Sequence, residues 1–521
     1  MRNPSASRII LFAIFAWLVV PSSQSSTALA PEPIVYTVRF PSPGAHHAEV
    51  EAVIPTRRRA SIELMAPIWS PGFYRVEDYA SRIQGLSARM PDGNMLKVEQ
   101  PRKNRWLIQT NGAPSVIVSY RLLCNGRSVT TNWVGDDLLV LNGAATFITL
   151  VERLRRPHDV KLELAEKWMR AMTALDAAPG GSPNHFRAAD YDTLVDSPIV
   201  AGALAVREFD VEGAKHFVVD AGESSQSNVE REAQDLEKIV RETRRFWGFL
   251  PFKRYVFLNV FRQGGGGLEH KNSTLLTSSP RMTSPTFRWL AFVSHEYFHA
   301  FNVKRLRPVE LTTFDYERPP NTGSLWISEG LTSYYGESIV CRAGLGSPRD
   351  CLDVLSSHIT QLQNAPGRLL QTLEQSSLDV WSSGTSGVGR DTATKVSYYD
   401  KGPVVGFLLD VKIQRATGGK RGLDDVMRLA YKRYSGARGF TPEQFRRTAE
   451  EVAGVDLREW FGKAISSVEE LDYTEALDWF GLRFAASDVG QPAQSWKLEI
   501  RENVTEAQRS RLLKWLGEAG K

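Results

Sequence analysis

The pattern of hydrophobic positions indicates β structure in the first part of the chain. From Ile34 to about Val219, short β-branched or aromatic runs, as at 34–40, 115–120 and 216–219, are separated by Pro, Gly, Asn and Asp. Such runs are typical of strands joined by turns. They predict an antiparallel β domain of sandwich type. A stretch near Leu162 to Leu175 has helical spacing and is predicted to interrupt this domain.

The pattern becomes helical from about Gln226 onward. A strand at 255–261 leads into the glycine run 264–267, and both are followed mainly by helices. Ser328 can cap the second helix after the glycine run, and Gly344 can end it. The predicted helices are 228–249, 286–303, 328–344, 347–364, 402–417, 422–433, 441–452, one around Trp460 and Phe461, and an amphipathic one around Leu512 to Leu516. The fold class predicted is therefore α+β and multidomain.

The helix predicted at 286–303 carries the sequence His-Glu-Tyr-Phe-His at 295–299. Residues four apart share one face of a helix, so His295 and His299 can direct two imidazoles at one metal ion. Glu296 lies between them and can act on a water rather than as a ligand. A catalytic zinc site takes three protein ligands, and Glu329 is the candidate for the third. We expect one Zn²⁺ per chain.

A surface helix that happens to carry two histidines is the alternative. The flanking residues oppose it, because Trp289, Leu290, Phe292, Val293, Phe298 and Phe301 make most faces of the segment apolar. Buried histidines beside a buried glutamate are costly unless something organises them, and a metal ion does so.

The first thirty residues are predicted to be a signal peptide. Arg2 and Arg8 precede the apolar run 9–20, and Ala28-Leu29-Ala30 offers a cleavage site. The mature protein is thus expected to be exported, periplasmic or secreted, without stable membrane insertion. A formal charge of +5 over 521 residues indicates neither a nucleic-acid binder nor a membrane-surface protein. The oligomeric state stays open.

Three cysteines leave two readings open. Cys341 and Cys351 flank a turn between two predicted helices and can form a disulfide in an oxidising compartment, which leaves Cys124 unpaired. Three free, partly buried thiols are the alternative.

Several segments closely resemble the glycyl aminopeptidase family of zinc metallopeptidases. They are HEYFHAFNVKRLRP at 295–308, FDYER at 314–318, LWISEGLTSYYG at 325–336, RAGL at 342–345, GGGLEHKNSTLL at 265–276 and WSPGFYRVEDYASRI at 69–83. The resemblance implies a gluzincin whose third zinc ligand is a glutamate on the next helix, here Glu329. It also implies cleavage after small N-terminal residues such as Gly or Ala.

The residue pattern and the resemblance together predict the domain order. A signal peptide at 1–30 is followed by a β-sandwich-like domain at 31–222, and a thermolysin-like, largely helical catalytic domain at 223–484. Family members commonly end in a PDZ domain, whereas the tail 485–521 is too short for one.

Candidate catalytic residues follow from this chemistry. Glu296 is the expected general base, which takes a proton from the attacking water and delivers it to the leaving amine. Tyr399 resembles the tyrosine of a Y-x-K-G motif in related aminopeptidases and is expected to donate to the tetrahedral oxygen. Its rivals are Tyr398, Tyr334 and Tyr335, and a tyrosine that only packs is the alternative for all of them.

Substrate contacts are expected around the glycine run. Glu269 is the candidate that binds the α-ammonium of a peptide with a free N-terminus, unless it is a solvated loop carboxylate. Gly266 and Gly267 allow close approach of the peptide backbone. His270 is a polar wall or a substrate contact. No Lys-Ser/Thr follows the glycines, so a phosphate-binding loop is not expected.

Three cations, Lys304, Arg305 and Arg307, follow the histidine pair. A solvated helix end is the favoured reading, and a contact to the substrate carboxylate is the other. At the level of function, an aminopeptidase is preferred. An endopeptidase on the same scaffold and an inactive peptide-binding protein are the alternatives.

Overall fold

The computed structural model describes residues 31–152, 155–168, 170–222, 229–262, 264–279, 286–382, 392–485 and 495–517. The predicted signal peptide lies outside these residues. The elements of the first part are β1 Ile34–Arg39, β2 His47–Pro55, β3 Ser61–Met65, β4 Ile83–Arg89, β5 Val98–Arg102, β6 Arg105–Gln109, β7 Ser115–Leu123, β8 Trp133–Val134, β9 Leu138–Leu141, α1 Gly143–Thr146, β10 Thr149–Leu150, β11 His158–Glu163, β12 Arg170–Thr173, β13 Asp176–Ala177, β14 His185–Ala188, α2 Tyr191–Val195, β15 Ile199–Gly202, β16 Ala205–Val211 and β17 Ala214–Gly222.

Three sheets contribute to the N-terminal core. The first two are a seven-stranded sheet of order β13-β14-β11-β1-β2-β7-β4 and a four-stranded sheet of order β10-β3-β6-β5, and the third has the order β12-β15-β9-β8. Alternate residues of each strand point inward, so that Tyr36, Val50, Leu64, Trp106 and Val118 share one core. The pairing of β1 with β11 is parallel, and the other pairings of the first two sheets are antiparallel. The predicted β domain is confirmed.

The helix predicted near Leu162 to Leu175 is wrong. Residues 158–163 form β11 and residues 170–173 form β12. Leu162 pairs with Val38 and is 4% exposed. Burial between two strands therefore overrides the modest helical propensity of this Leu-, Glu- and Lys-containing stretch.

The second part is mainly helical, with one sheet. Its elements are α3 Val229–Trp247, β18 Arg254–Phe261, β19 Gly266–Glu269, β20 Ser273–Ser278, α4 Phe287–Phe298, a π-helical turn Trp326–Gly330, α5 Leu331–Arg342, α6 Pro348–Gln363, α7 Leu373–Leu378, α8 Tyr398–Ala416, α9 Leu423–Tyr434, α10 Pro442–Ala453, α11 Arg458–Ser466, α12 Thr474–Phe480, β21 Leu482–Phe484, β22 Leu498–Ile500 and α13 Glu506–Trp515. The sheet has the order β16-β17-β18-β20-β19, which places the glycine-rich strand β19 at an edge.

Two predicted helix starts differ from the structure. Ser328 does not cap a helix, because it is buried inside the π-helical turn that precedes α5. α8 begins at Tyr398 rather than Gly402, and the side chain of Ser397 caps it by accepting from the Tyr399 amide. Tyr399 therefore lies in the first turn of a long helix. Gly344, with φ of 70°, follows the end of α5 as predicted.

The last helix packs on the helical part of the molecule. Leu512 and Leu516 are each 3% exposed, and Trp515 Nε1 donates to the Tyr334 hydroxyl at 3.0 Å. Cys341 and Cys351 form a disulfide between α5 and α6, and Cys124 is a buried free thiol. In the described residues no helix combines the length and the apolar character that crossing a membrane requires.

Contacts between the β domain and the helical part are polar as well as aromatic. Trp69 Nε1 donates to the Asp315 carbonyl at 2.8 Å, and Tyr316 donates to Asp192 at 2.7 Å. The Arg105 guanidinium contacts both oxygens of Glu317, at 2.8 and 2.5 Å. These bonds hold the β domain against the segment 315–317, which lies between α4 and the π-helical turn in the chain.

Candidate active site

Helix α4 presents the two histidines on one face. Thr286 caps its start by accepting from the Trp289 amide, and the buried residues Trp289, Leu290 and Val293 hold the helix in the core. The Nε2 atoms of His295 and His299 lie 2.9 Å apart, and their rings are perpendicular. Two imidazole nitrogens that face each other at this distance leave room for a shared ion beside them.

The π-helical turn brings Glu329 to the same point. Glu329 Oε2 lies 3.2 Å from His299 Nε2 and 3.7 Å from His295 Nε2. Zinc–ligand bonds of about 2.0–2.1 Å at tetrahedral angles put neighbouring donor atoms roughly 3.3 Å apart. The three donor atoms therefore fit a single tetrahedral ion with one position left for another ligand.

Each histidine is held by a bond from its other ring nitrogen. His299 Nδ1 lies 2.8 Å from the Asn302 carbonyl, to which it donates. The Ser333 hydroxyl donates to the Glu329 carbonyl at 3.0 Å, so its oxygen is left to accept from His295 Nδ1 at 3.2 Å. Both tautomers assigned from these bonds leave Nε2 free for a metal. The sequence did not identify Asn302 and Ser333, although each lies one turn from a metal-ligand candidate.

Burial controls the charges around these ligands. Although burial opposes it, the two histidines hold the pKa of Glu329 well below its usual range. Burial also disfavours charge on His299, but Glu329 and Glu269 outweigh it and raise the pKa of His299 to about 10. Three buried carboxylates near two imidazoles thus attract positive charge to this point.

Glu296 lies directly against the glycine-rich strand. It is 5% exposed, and a methyl group on Gly267 would overlap its Oε1 atom. Burial raises the pKa of Glu296 well above its ordinary value, and His299 opposes this only in part. Only glycine at position 267 leaves room for the Glu296 carboxylate, which can then face the cavity.

Glu269 closes one end of the site. Its carboxylate lies within 4.8 Å of donor atoms of Glu296 and His299, and the residue is 3% exposed. A side chain at Gly72, which has φ of 99°, would overlap this carboxylate. Burial raises the pKa of Glu269 to about 7. Within the described residues Glu269 Oε1 has no hydrogen-bond partner, so the carboxylate has an acceptor available for a ligand.

His270 and Lys304 lie together outside the cavity wall. His270 Nδ1 is 3.3 Å from Asp196 and Lys304 Nζ is 2.6 Å from the same carboxylate. Lys304 is only 6% exposed, so the predicted solvated helix end is wrong for this residue. A buried ammonium needs a paired anion, and α2 of the β domain supplies Asp196. The geometry does not support a substrate contact for His270.

Arg305 and Arg307 are also partly buried and bond to the protein itself. Arg305 donates to the carbonyls of Lys271 and Ala300, at 2.8 and 2.7 Å. Arg307 donates to the Leu311 carbonyl at 3.1 Å and lies over the Phe314 ring. Neither guanidinium faces the cavity.

Of the four candidate tyrosines, Tyr399 is the one that lines the cavity among the described residues. Its hydroxyl donates to Glu329 Oε2 at 3.1 Å. Tyr334 donates to Asp410, and Tyr398 and Tyr335 are fully buried.

The sequence did not identify Tyr74, a phenol of the β domain that reaches the site. Its side chain is 1% exposed, and burial, then the nearby carboxylates of Glu329 and Glu269, raise the pKa of its hydroxyl. In the described part of the chain, neither the Tyr74 hydroxyl nor Glu329 Oε1 has a hydrogen-bond partner within ordinary distance. Only the resemblance of the segment 69–83 pointed toward this region.

The cavity around these residues has a volume of about 660 Å³. Its lining includes Gly72, Phe73, Glu269 and Tyr399, and also Arg288, Glu337, His358, Gln361 and Asp400. The His358 ring bridges two helices here. Its Nε2 lies 2.7 Å from Glu337 of α5, and its Nδ1 lies 3.6 Å from Asp400 of α8.

Two family models match the chain, and together they cover more than half of it. The model of the peptidase M61 N-terminal domain matches residues 35–203, and the model of the M61 glycyl aminopeptidase matches residues 288–405. The chain belongs to the M61 glycyl aminopeptidase family. The family assignment makes it a metallopeptidase, and the histidine pair lies within the second matched region.

Solved structures with the same fold include relatives of this family. An aminopeptidase N family protein from Idiomarina loihiensis is 26% identical, with a TM-score of 0.83 over 87% of this chain and 79% of that one. An M1 zinc metallopeptidase from Deinococcus radiodurans is 12% identical, with a TM-score of 0.52 over 85% and 95%. Leukotriene A4 hydrolase from Saccharomyces cerevisiae is 14% identical, with a TM-score of 0.53 over 85% and 68%.

The last two likenesses show the fold alone. No curated protein matches the chain. The fold prediction, a β domain followed by a largely helical metallopeptidase unit, is thus confirmed by both the structure and the family.

Proposed function

We propose that this protein is an exported zinc aminopeptidase that removes small residues, Gly or Ala, from peptides with a free N-terminus. The observation that carries the proposal is the position of Glu269. This buried carboxylate lies beside the candidate metal ligands, lines the cavity and has Gly72 of the β domain packed against it. A buried anion next to the metal ligands suits a chain terminus that carries an ammonium group.

His295, His299 and Glu329 would hold the zinc ion, one per chain. When bound, zinc supplies Lewis acidity that polarises the scissile carbonyl and lowers the pKa of water, so that the water can lose a proton near neutral pH. The protein's own groups then handle the protons. Glu296 would accept one proton from the attacking water as the new C–O bond forms and the carbonyl oxygen takes up negative charge. It would then pass that proton to the nitrogen of the leaving amine, so that the peptide C–N bond breaks as the C=O double bond is restored.

Tyr399 is proposed to stabilise the charge that forms on the carbonyl oxygen. Its hydroxyl already lies 3.1 Å from Glu329 Oε2 and lines the cavity. Burial raises the pKa of this phenol well above 10, so it stays a proton donor. A preorganised donor of this kind typically contributes several kcal/mol to transition-state stabilisation.

The family supports the preference for small residues, because the model that matches residues 288–405 is that of a glycyl aminopeptidase. Phe73 and Tyr399 line the cavity together with Glu269 and would bound the space for the first side chain of a peptide. Gly266 and Gly267 leave the edge of β19 open for pairing with its backbone.

Export rests on other observations. The apolar run at 9–20 and the sequence Ala28-Leu29-Ala30 support a cleaved signal peptide. The disulfide between Cys341 and Cys351 is compatible with an oxidising compartment.

The test is hydrolysis of Gly-, Ala- and Leu-p-nitroanilide by the zinc-loaded protein. We expect turnover of Gly and Ala substrates, slower turnover of Leu, and a loss of at least 10²-fold in kcat for Glu296→Gln. N-acetyl-Ala-p-nitroanilide is the control and should not be cleaved. Cleavage of the acetylated substrate would contradict the exopeptidase assignment and favour an endopeptidase. A zinc-loaded protein that cleaves none of these substrates would contradict the aminopeptidase proposal itself.

A further inference from the structure

The contacts between β19 and α4 give the cavity a direction. Gly267 lies against Glu296, and Glu269, two residues later, lies within 4.8 Å of both Glu296 and His299. β19 and α4 therefore run in the same direction along the cavity. Glu269 is the last residue of β19 and lies beside the C-terminal end of α4. Gly265 and Arg288, which line the same cavity, lie toward the N-terminal ends of these two elements. A peptide whose amine is at Glu269 extends its C-terminal part toward Arg288.

Two arginines line this cavity, and they differ in what they bind. Arg75 is paired with Glu77 at 2.6 Å and lies over the Phe73 ring, so its charge is already neutralised. Arg288 is exposed and has no ion-pair or hydrogen-bond partner among the described residues. The imidazole of His358, the other cationic group of the wall, is held between Glu337 and Asp400. In the part of the chain that the structure describes, Arg288 is thus the cation of this cavity that is available to an anion.

The position of Arg288 on its helix also favours a role in binding an anion. It is the second residue of α4, where the positive end of the helix dipole makes a basic side chain unfavourable. Stabilisation of α4 therefore does not explain why an arginine occupies this position. Between Arg288 and His295, Ala291 and Phe292 line the cavity as an apolar strip that the body of a short peptide can cover.

We propose that Arg288 binds the C-terminal carboxylate of short peptides, so that the enzyme is selective for substrates of three to four residues with a free C-terminus. This inference rests on the proposed aminopeptidase function. Seven residues of helix separate Arg288 from His295, a rise of about 10 Å. An extended peptide advances about 3.3–3.6 Å per residue, so about three residues span that distance beyond the scissile bond. The planar guanidinium can then take both carboxylate oxygens.

The test compares Gly-Ala-Ala and Gly-Ala-Ala-Ala, each as the free acid and as the C-terminal amide, with wild type, Arg288→Gln and Arg288→Lys. We expect the wild type to prefer the acids by about fivefold to tenfold in kcat/KM, mainly through KM. Arg288→Gln should abolish this preference, because the acids lose the partner of their carboxylate and their kcat/KM falls toward that of the amides. Arg288→Lys should keep part of it, because a charge remains without the paired geometry. A Gly-started hexapeptide should show no difference between acid and amide.

Arg75→Gln is the matched control, because it removes an arginine of the same cavity that Glu77 already neutralises. Its acid-to-amide ratio should equal that of the wild type. Equal rates on acids and amides in the wild type, or a ratio lost in Arg75→Gln and kept in Arg288→Gln, would overturn the inference. Either result would leave the proposed aminopeptidase standing, because cleavage of the amides tests that function separately.

Discussion

Gly267 shows how little space separates the glycine-rich strand from the candidate general base. Gly267 does not have a positive φ, so alanine fits its backbone, but the new methyl group would overlap Glu296 Oε1. Gly267→Ala is therefore expected to displace Glu296 and lower kcat by at least tenfold, with little change in thermal stability. Steady-state kinetics with Ala-p-nitroanilide, together with a melting curve, measures both.

Gly265→Ala is the matched control for that change. It lies two residues earlier, it also lacks a positive φ, and a Cβ there meets nothing within 4 Å. We expect its kcat to be close to that of the wild type. Equal losses in the two variants would mean that the loop needs flexibility, and that contact with Glu296 is not the cause.

Single residues also show what a sequence can and cannot predict. His295, Glu296 and His299 follow from spacing, because helix geometry and metal chemistry fix their relation. Glu329 lies on another helical segment, and its selection as the third ligand rests on the resemblance of the segment 325–336 to the family. Lys304 was wrongly expected to be solvated, because its partner Asp196 comes from a distant part of the chain. No local sequence pattern predicts an ion pair between residues so far apart in the chain.

At the scale of elements, His358 joins three helices beside the cavity. Burial works against a charged imidazole, but Glu337 of α5 and Asp400 of α8 outweigh it and raise the pKa of His358 to about 10. The ordinary value in an unfolded chain is about 6.5. Because the folded pKa is the higher one, the stabilisation is complete below pH 6.5 and is lost as the pH rises toward 10.

We therefore expect His358→Gln to lower the free energy of unfolding by on the order of 2 kcal/mol at pH 6, and by much less at pH 10. Urea unfolding at the two pH values, with equal metal content, measures the difference. His47→Gln removes an imidazole that bonds the Ala45 carbonyl near the surface, and it should cost little at either pH. A His358→Gln effect that is the same at both pH values would contradict the ion-pair account.

The helices and strands themselves were largely predictable, with instructive exceptions. Amphipathic spacing located the long helices, because each buries one face in a shared core. The stretch near Leu162 failed because strand pairing on both sides decided its structure. The π-helical turn at 326–330 was also missed, since the same residues would suit an ordinary helix start. Tertiary contacts, which a local pattern does not contain, therefore determined the structure of both segments.

At the scale of the whole molecule, the β domain contributes to the candidate metal site through Tyr74. Its buried hydroxyl and Glu329 Oε1 both lack a hydrogen-bond partner in the described part of the chain. We expect the phenol to donate to Glu329 when the ion is bound. Loss of such a partner typically weakens metal binding by about 10- to 100-fold. Tyr74→Phe should therefore bind zinc more weakly, as measured by competition with a chelator.

Tyr79→Phe is the comparison, because Tyr79 has a similarly buried hydroxyl without a partner in the described residues. Its nearest charge is Glu77, and Glu329 does not contribute to its environment. Zinc affinity should stay at the wild-type value in this variant. Equal losses in both would show a general effect of the β domain on folding.

Gly72 has a consequence for how the chain matures. The wall that Gly72 forms against Glu269 exists only after the two halves of the molecule have docked. Before docking, the Glu269 carboxylate lacks this neighbour. On the proposed function, the limit of cleavage to the first residue of a peptide is therefore a property of the assembled molecule and not of the helical half.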